Sequence, residues 1–247
     1  MTASPNGAAL PVHSLAGFLR ESGEEKAITG NFTQESERIL RIEVDGGVWL
    51  KPGAAIAYRG DLRFERLPTL QGRNLKDMIR RELVPLERAI GRGRLYCAYR
   101  GWHLRVLRLA GETLCVSAKE FLAFEETLEH EIFLVGKRIG LTAGGLFGAR
   151  FSGTGALAFA VHGSPLTLPV TPANPVSTDP HSTLAWSDGL VPELKMDLSW
   201  RSVFRHGGRE PFQMFFQGEG FVVVQPAEDP ARFRLKGGRW LKALLKV

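Results

Sequence analysis

An aliphatic–alanine–aromatic trio occurs three times along this chain of 247 residues, at nearly constant spacing. The copies are Ile56-Ala57-Tyr58, Leu122-Ala123-Phe124 and Leu184-Ala185-Trp186, and successive copies begin 66 and 62 residues apart. A leucine follows each trio at the same offset, as Leu62, Leu128 and Leu190. A pattern that keeps its phase through three cycles indicates three copies of one structural unit.

A Gly-x-Gly element recurs in step with the trios. Its copies are Gly91-Arg92-Gly93, Gly153-Thr154-Gly155 and Gly218-Glu219-Gly220, and their first glycines lie 62 and 65 residues apart. Each copy is predicted to begin a strand, over Leu95–Tyr99, Ala156–Val161 and Phe221–Gln225. A glycine-rich loop can cradle phosphate when a helix follows it, but strands follow here. Glycines at a bulge or at a close approach between strands explain all three copies.

Strand periodicity and turn signals dominate the rest of the chain. Apolar and polar residues alternate around Leu40, Leu104 and Met214, which is typical of strands with one buried face. Turns are expected at Asp45-Gly46-Gly47, Ala110-Gly111-Glu112, His162-Gly163-Ser164-Pro165 and His206-Gly207-Gly208. Helices are expected at Leu15–Glu21 and at Leu75–Arg88, where Pro85 limits the second.

These patterns predict an all-β fold of three small units with pseudo-threefold symmetry and few short helices. A unit of about 60–65 residues is small for a core of its own, so we expect the units to pack as one body. The three trios should then line a shared interior in equivalent surroundings. The predicted division is an N-terminal extension at 1–28, β-units at 29–90, 91–152 and 153–230, and a basic tail at 231–247.

The positive charge of the chain is confined to its C-terminal tail. The chain has 32 Lys and Arg against 26 Asp and Glu, and six of the basic residues but no acid lie within Ala231–Val247. The preceding chain is therefore neutral. Trp240, Leu241, Leu244 and Leu245 lie on one face of a short helical pattern in this tail. Such a helix could bind an anionic membrane surface or an acidic partner, or dock on the chain's own body, because about two turns are too few for an isolated helix.

Cysteine content and hydropathy bear on location. Cys97 and Cys115, the two cysteines, cannot form a disulfide framework; they are expected to be buried structural thiols in a reducing compartment. No apolar run approaches the roughly 18 residues of a membrane-spanning helix, and Met1–Val12 lacks the features of a signal peptide. A cytoplasmic location is expected, either free or peripherally attached to a membrane.

No arrangement of residues in the sequence predicts catalysis. Gly-x-Ser-x-Gly elbows and the Cys-x-x-Cys and His-Glu-x-x-His patterns of zinc sites are absent. His181 and Ser182 have no accompanying base and acid. A carboxylate–imidazole cluster that could ligate a metal comprises Glu125, Glu126, Glu129, His130 and Glu131. Because alternate strand residues point to opposite faces, a solvated turn is the favoured interpretation, and no catalytic, cofactor-binding or metal-ligating residue is assigned.

Several stretches of the chain resemble the Altered Inheritance of Mitochondria twenty-four family of small bacterial and mitochondrial proteins. They are Val48–Gly60, Leu122–Glu126, Gly144–Phe147, His162–Pro169 and Phe216–Pro226. Ala54-Ala55 stands where the family often has Ser-Met. The resemblance implies a fold like that of the tryptophan RNA-binding attenuation protein, with three shortened double-stranded β-helices about a pseudo-threefold axis. It implies no catalytic residues, and mitochondrial members of the family are linked to inner-membrane organisation.

The sequence therefore favours a non-enzymatic β scaffold that acts by self-assembly or by docking to a protein partner or a membrane surface, the latter through residues 231–247. The alternative is a binding module for a small molecule or RNA, with its site between repeats. RNA readers combine a basic groove with exposed aromatic residues, so nucleic acid is not an expected partner of a chain that is neutral outside its tail. No cofactor is expected, and edge strands offer a route to a homo-oligomer.

Overall fold

The structure, a computed structural model, describes residues 14–21, 23, 30–66, 84–136, 146–196 and 212–226. Within these residues the chain forms one short helix, α1 (Leu15–Glu21), and fourteen strands. The strands are β1 (Phe32–Ser36), β2 (Ile39–Leu50), β3 (Ala55–Arg66), β4 (Glu87–Cys97), β5 (His103–Ser117), β6 (Phe121–Glu125), β7 (Leu128–Leu134), β8 (Phe147–Val161), β9 (Leu166–Val170), β10 (Val176–Thr178), β11 (Thr183–Ser187), β12 (Glu193–Met196), β13 (Phe212–Phe216) and β14 (Gly220–Val224). Their pairings are antiparallel, which confirms the predicted all-β class.

The first predicted helix is confirmed as α1 with the same bounds. It begins after Ser14, whose Oγ accepts a hydrogen bond from the Gly17 N–H at 3.1 Å. A serine in this position satisfies an amide that the first helical turn leaves without a partner. No helix in the described part of the chain is long and apolar enough to cross a membrane.

The second predicted helix, Leu75–Arg88, is wrong at its C-terminal end. Residues 84–86 are not helical, and β4 begins at Glu87. This end of β4 pairs with β2 on one side and β3 on the other, so two strand ladders override the local helical pattern. Residues 75–83 of that prediction lie outside the described residues, as do the predicted turn at residues 206–208 and the tail at 231–247.

The described strands form two sheets. The larger has the order β3-β4-β2-β6-β8-β5-β11-β14-β9, with β1 added to β2 and β7 added to β8. The smaller has the order β10-β13-β12. Strands four or more positions apart in chain order are therefore neighbours at three places in the larger sheet: β2 with β6, β5 with β11, and β9 with β14.

Three clusters of buried apolar residues form the core. Each cluster combines residues from strands that are far apart in the sequence. Their largest members include Leu40 and Leu95 in the first, Phe121 and Phe151 in the second, and Trp186 and Phe216 in the third. The first cluster also contains Leu122, the second Leu184 and the third Cys115. The first two clusters thus interlock along the larger sheet, and the third joins it to the smaller sheet through Leu194, Met214 and Phe216.

Each trio pairs with the strand of the next Gly-x-Gly element in one register. The trio aromatic lies opposite the residue two positions after the second glycine, as Tyr58↔Leu95, Phe124↔Leu157 and Trp186↔Val222. In all three pairs the register shifts at the aliphatic residue of the trio, which is the signature of a β-bulge. The two recurring sequence elements therefore meet across a strand pair in every copy.

Two of the predicted turns are bends within continuous strands. Asp45-Gly46-Gly47 lies inside β2, where Gly46 pairs with Gly91 of β4. Ala110-Gly111-Glu112 lies inside β5, whose register with β8 shifts there. Glycines signal bends and turns alike, because both need backbone conformations that other residues avoid. The first two Gly-x-Gly elements likewise lie within β4 and β8, so the residues after 90 and 152, where unit boundaries were predicted, belong to continuous strands.

The first trio differs from the other two in burial. Phe124 is 0% exposed and Trp186 is 1% exposed, whereas Tyr58 is 54% exposed and Ile56 is 55% exposed. The expectation that all three trios line a shared interior is therefore wrong for the first. The reason is strand order, because β6 and β11 each lie between two strands while β3 is an edge strand of the described sheet.

Candidate docking site

The larger sheet contains two places, which we call junctions, at which a trio strand pairs with a strand from an earlier part of the chain. At the first junction β6 pairs with β2, and Phe124 lies opposite Trp49. At the second junction β11 pairs with β5, and Trp186 lies opposite Cys115. Trp49 and Cys115 each precede a trio aromatic by nine residues, so the two junctions use the same positions of the repeat.

An ion pair spans each junction at equivalent positions. Arg88 of β4 donates from Nη2 to Oε2 of Glu126 at 2.9 Å, and its guanidinium lies 5.7 Å from the centroid of the Trp49 ring. Arg150 of β8 donates from Nε to Oδ1 of Asp188. We call Arg88 and Arg150 the junction arginines. Their hydrogen bonds to the two carboxylates raise the pKa of both guanidinium groups.

The junction ion pairs were not predicted from the sequence, although a signal for them exists. Each junction arginine lies three residues before a Gly-x-Gly element, and Glu126 and Asp188 each lie two residues after a trio aromatic. The partners are partly exposed, at 41% and 40% for Arg150 and Asp188, so each pair contributes only about 0.2–1 kcal/mol. Opposite charges at fixed positions on facing strands favour one register of those strands.

On the outer edge of β3, the position that matches these junctions has no paired strand within the described parts of the chain. The backbone N–H and C=O groups that face outward from an edge strand lack a ladder partner. Ile56 and Tyr58 are more than half exposed along this edge.

The strand that would complete this position by repeat equivalence is β10. Ser177 of β10 precedes Trp186 by nine residues, the same offset as at the two formed junctions. Ser177 pairs with Phe215 of β13. In the same way, Trp49 pairs with Arg88 and Cys115 pairs with Arg150. β10 is also an edge strand in its sheet, and Ser177 is exposed. We call the outer edges of β3 and β10 the two halves of the open third junction.

The open third junction lacks the charges of the other two. Phe215 occupies the position of the junction arginines, and Gly60 occupies the position of Glu126 and Asp188. Gly60 has a φ of 93°, and a Cβ there would lie 2.6 Å from the carbonyl oxygen of Arg92, so a side chain is not tolerated. Contact at this junction would therefore depend on apolar and backbone groups.

A shallow groove of about 480 Å³ runs along the open edge of β3. Ile56, Tyr58 and Phe64 supply apolar walls, and the rings of Tyr58 and Phe64 meet edge to face with centroids 5.4 Å apart. Arg66 and Glu87, which also line the groove, pair with each other at 3.3 Å. Apolar side chains beside an unpaired strand edge form the kind of surface that accepts an added β-strand.

The carboxylates of the predicted polar cluster are engaged separately. Glu125 accepts a hydrogen bond from the Ala156 N–H at 2.8 Å, Glu126 binds one junction arginine, and Glu131 binds the other at 2.9 Å. In the described residues, no group of three or more His, Cys, Asp or Glu side chains could hold a metal ion. These residues belong to the junctions.

His130, the imidazole of that cluster, packs against aromatic rings. Its ring centroid lies 5.9 Å from that of Trp49 and 4.9 Å from that of Phe124. Desolvation by burial lowers the pKa of His130, which favours the neutral ring at pH 7. Its side chain is otherwise exposed on β7 and lies against these two rings at the sheet surface.

The other residues that the sequence singled out, a Gly-x-Gly glycine, the two cysteines and His181, make contacts that explain them structurally. A Cβ at Gly91 would lie 2.0 Å from the Asp61 carbonyl oxygen, so close strand approach requires this glycine and leaves no space for phosphate. Cys97 and Cys115 are free and buried, as predicted, and burial raises the pKa of each to about 12. The backbone N–H of His181 donates to Asp179 Oδ1 at 2.7 Å in a local turn.

Comparison with known proteins identifies the family. The model of the family described as mitochondrial biogenesis AIM24 matches residues 31–227. The crystal structure of protein SPYM3_0169 from Streptococcus pyogenes is similar with a TM-score of 0.61 and 19% sequence identity, over 78% of this chain and 91% of that chain; this identity shows a shared fold alone. A search of curated proteins found no match. Since the family match covers well over half of the chain and includes both junctions, the chain belongs to the mitochondrial biogenesis AIM24 family, as the resemblance predicted.

Proposed function

We propose that this chain is a non-enzymatic β scaffold that docks a strand of a partner protein at the open third junction. One observation carries the proposal: the repeat position that is filled at two junctions is exposed at the third, with Ile56 and Tyr58 on its surface. Both side chains are already nearly half buried, so covering each of them contributes roughly half of the 1.5–3 kcal/mol that full burial of a large apolar side chain provides. Strand addition at such an edge supplies backbone hydrogen bonds as well. Family membership supports a role related to mitochondrial biogenesis.

The scaffold is proposed to consist of three double-stranded β-helical units with pseudo-threefold symmetry, like the tryptophan RNA-binding attenuation protein. The shared trio registers and the three bulges support equivalent units, while the edges of β3 and β10, unpaired in the described sheets, depart from full threefold symmetry. Grouping strands by their pairing gives units of β1–β4, β5–β8 and β9–β14. These units differ from the division at residues 90 and 152 because β4 and β8 continue through those points.

A second contact is proposed for the basic tail at residues 231–247, which lies outside the described residues. Its six basic residues and absence of acids suit an anionic membrane surface. A cytoplasmic location is proposed as well, supported by two free, buried thiols.

The alternative function is a small-molecule or RNA binding module that uses the groove beside β3. The position of the groove favours a binding module, because a site between repeats would lie beside β3. The groove's charges are less favourable for an anionic ligand, since Arg66 and Glu87 neutralise each other. Stacking platforms for RNA combine aromatic residues with unpaired positive charge, so the docking of a protein strand remains the main proposal.

Site-specific photo-crosslinking in living cells tests the docking proposal. The full chain carries p-benzoylphenylalanine in place of Tyr58 in one sample and in place of Val191, which is 80% exposed, in a matched control. We expect several-fold more protein adduct from position 58 than from position 191, because only position 58 lies on the open edge. Adding Ile56→Lys should reduce the adduct, since an edge lysine opposes strand addition.

Equal adduct yields at positions 58 and 191 would contradict docking at this edge. Mass spectrometry of the crosslinked peptide identifies the partner strand. Either a peptide from this chain or a peptide from another protein agrees with the docking proposal. Only a peptide from this chain agrees with the narrower inference below, which assigns the occupant to a second copy.

A further inference from the structure

We infer that the occupant of the open third junction is a second copy of this chain, with the outer edge of β3 in one copy paired antiparallel to β10 of the next. The inference rests on the proposed docking function and names its partner. It follows from the fact that one chain carries both halves of the junction, each on an edge strand of the described sheets.

The two formed junctions fix the expected register. The first pairs Val48↔Glu125, Trp49↔Phe124 and Leu50↔Ala123. The second pairs Leu114↔Ser187, Cys115↔Trp186 and Val116↔Ala185. Both are antiparallel and both centre on the trio aromatic. Transferred by repeat position, the third junction pairs Val176 with Arg59, Ser177 with Tyr58 and Thr178 with Ala57.

Side-chain sizes at the open halves suit this register. Small Ser177 would face large Tyr58, as small Cys115 faces large Trp186 at the second junction. Phe215, which lies beside Ser177 on β13, would approach Gly60, where only hydrogen is tolerated. A large residue thus meets a small one at both positions.

The occupant is assigned to a second copy because the two halves do not pair with each other in the described sheets. β3 ends the larger sheet, β10 ends the smaller one, and Tyr58 is 54% exposed. Two different surfaces of one molecule that fit each other produce head-to-tail association, which grows into a ring or a filament. Because the junction ion pair is absent, raising NaCl to about 0.5 M should change the associated fraction less than about twofold.

Cysteine crosslinking tests the inference. Tyr58→Cys and Ser177→Cys chains are purified separately, mixed, and oxidised with copper phenanthroline. Directly opposed residues of antiparallel strands lie about 4.5–5.5 Å apart between Cα atoms, within disulfide reach. Both positions are exposed, so folding is preserved. The native thiols stay silent because burial raises their pKa to about 12.

We expect a covalent dimer in the mixture and at least about tenfold less in either variant alone. The matched control is Asp61→Cys mixed with Ser177→Cys. Position 61 lies three residues from position 58 along β3, which displaces the thiol by about 10 Å, beyond disulfide reach, so this mixture should form no covalent dimer. Fractions from size-exclusion chromatography should show species larger than one chain that grow with concentration.

Three results would overturn the inference. Dimers of Tyr58→Cys alone would show a symmetric β3–β3 contact. A monomeric intrachain disulfide in the double variant, Tyr58→Cys with Ser177→Cys, at low concentration would show closure within one chain. Absence of covalent dimers above the Asp61→Cys control would exclude a second copy; a crosslink from position 58 to another protein would then leave the docking proposal standing.

Discussion

Replacing Phe124 with alanine should lower the free energy of unfolding by about 3–5 kcal/mol, whereas the same replacement at Tyr58 should cost less than about 1 kcal/mol. The two residues occupy one position of the repeat. Phe124 is fully buried, with its ring against those of Phe121 and Phe151 at centroid distances of 6.1 and 4.9 Å. Tyr58 is 54% exposed and loses little burial on truncation. Urea denaturation monitored by circular dichroism measures both values.

Equal costs at the two positions would contradict the burial difference between the first trio and the second. A large loss at Tyr58 would mean that a strand covers the open edge in the isolated chain. The comparison is internally controlled, since both residues pair with the strand of a Gly-x-Gly element in the same register.

Replacing Gly91 with alanine should be the most damaging single-methyl change on β4. Gly91 has a φ of 130°, and its Cβ would lie 2.0 Å from the Asp61 carbonyl oxygen. Asp61 belongs to the paired strand, so relief requires the β3–β4 ladder to open. We expect a loss of about 2–4 kcal/mol, from overpacking together with backbone strain, in the same denaturation experiment.

Gly111→Ala is the matched control. Gly111 has a φ of 105°, but a Cβ there has no neighbour within 4 Å, so this variant carries the conformational strain without the clash. Gly91→Ala should exceed it by at least about 1 kcal/mol. If the two variants lose the same stability, close approach between β3 and β4 is not the reason for the glycine.

Local patterns in the sequence predicted the β class because strands with one buried face leave an alternating pattern of apolar and polar residues. Alternation around Leu40 and Leu104 reflects strands with one buried face, and Ser14 before an apolar spacing marks the start of α1. Phase through three cycles predicted copies of one structural unit. The spacing did not specify that each trio pairs with a Gly-x-Gly strand, but the shared register of these pairs agrees with that expectation, since equivalent residues in a repeat make equivalent contacts. The single helix error, at Leu75–Arg88, occurs where two ladders hold β4 extended.

The junctions were harder to predict because their contacts are non-local. Arg88 meets Glu126 across 38 residues of sequence, and neither residue has a spacing that signals an ion pair on its own. The exposure of Tyr58 depends on which strand lies beside β3, which a repeat pattern does not specify. Repeats predict equivalent strands, but an open-ended array leaves its first and last edges without neighbours.

Hydrogen–deuterium exchange of the dilute chain tests the central claim, that the repeat leaves its third junction unfilled. Alternate amides of an edge strand point away from the ladder, so about half of the amides in Ile56–Leu62 should exchange rapidly. The equivalent segments Leu122–Leu128 and Leu184–Leu190, which begin in strands paired on both sides, should be protected far longer. Equal protection of all three segments at low concentration would show that the third junction closes within the chain and would contradict the account.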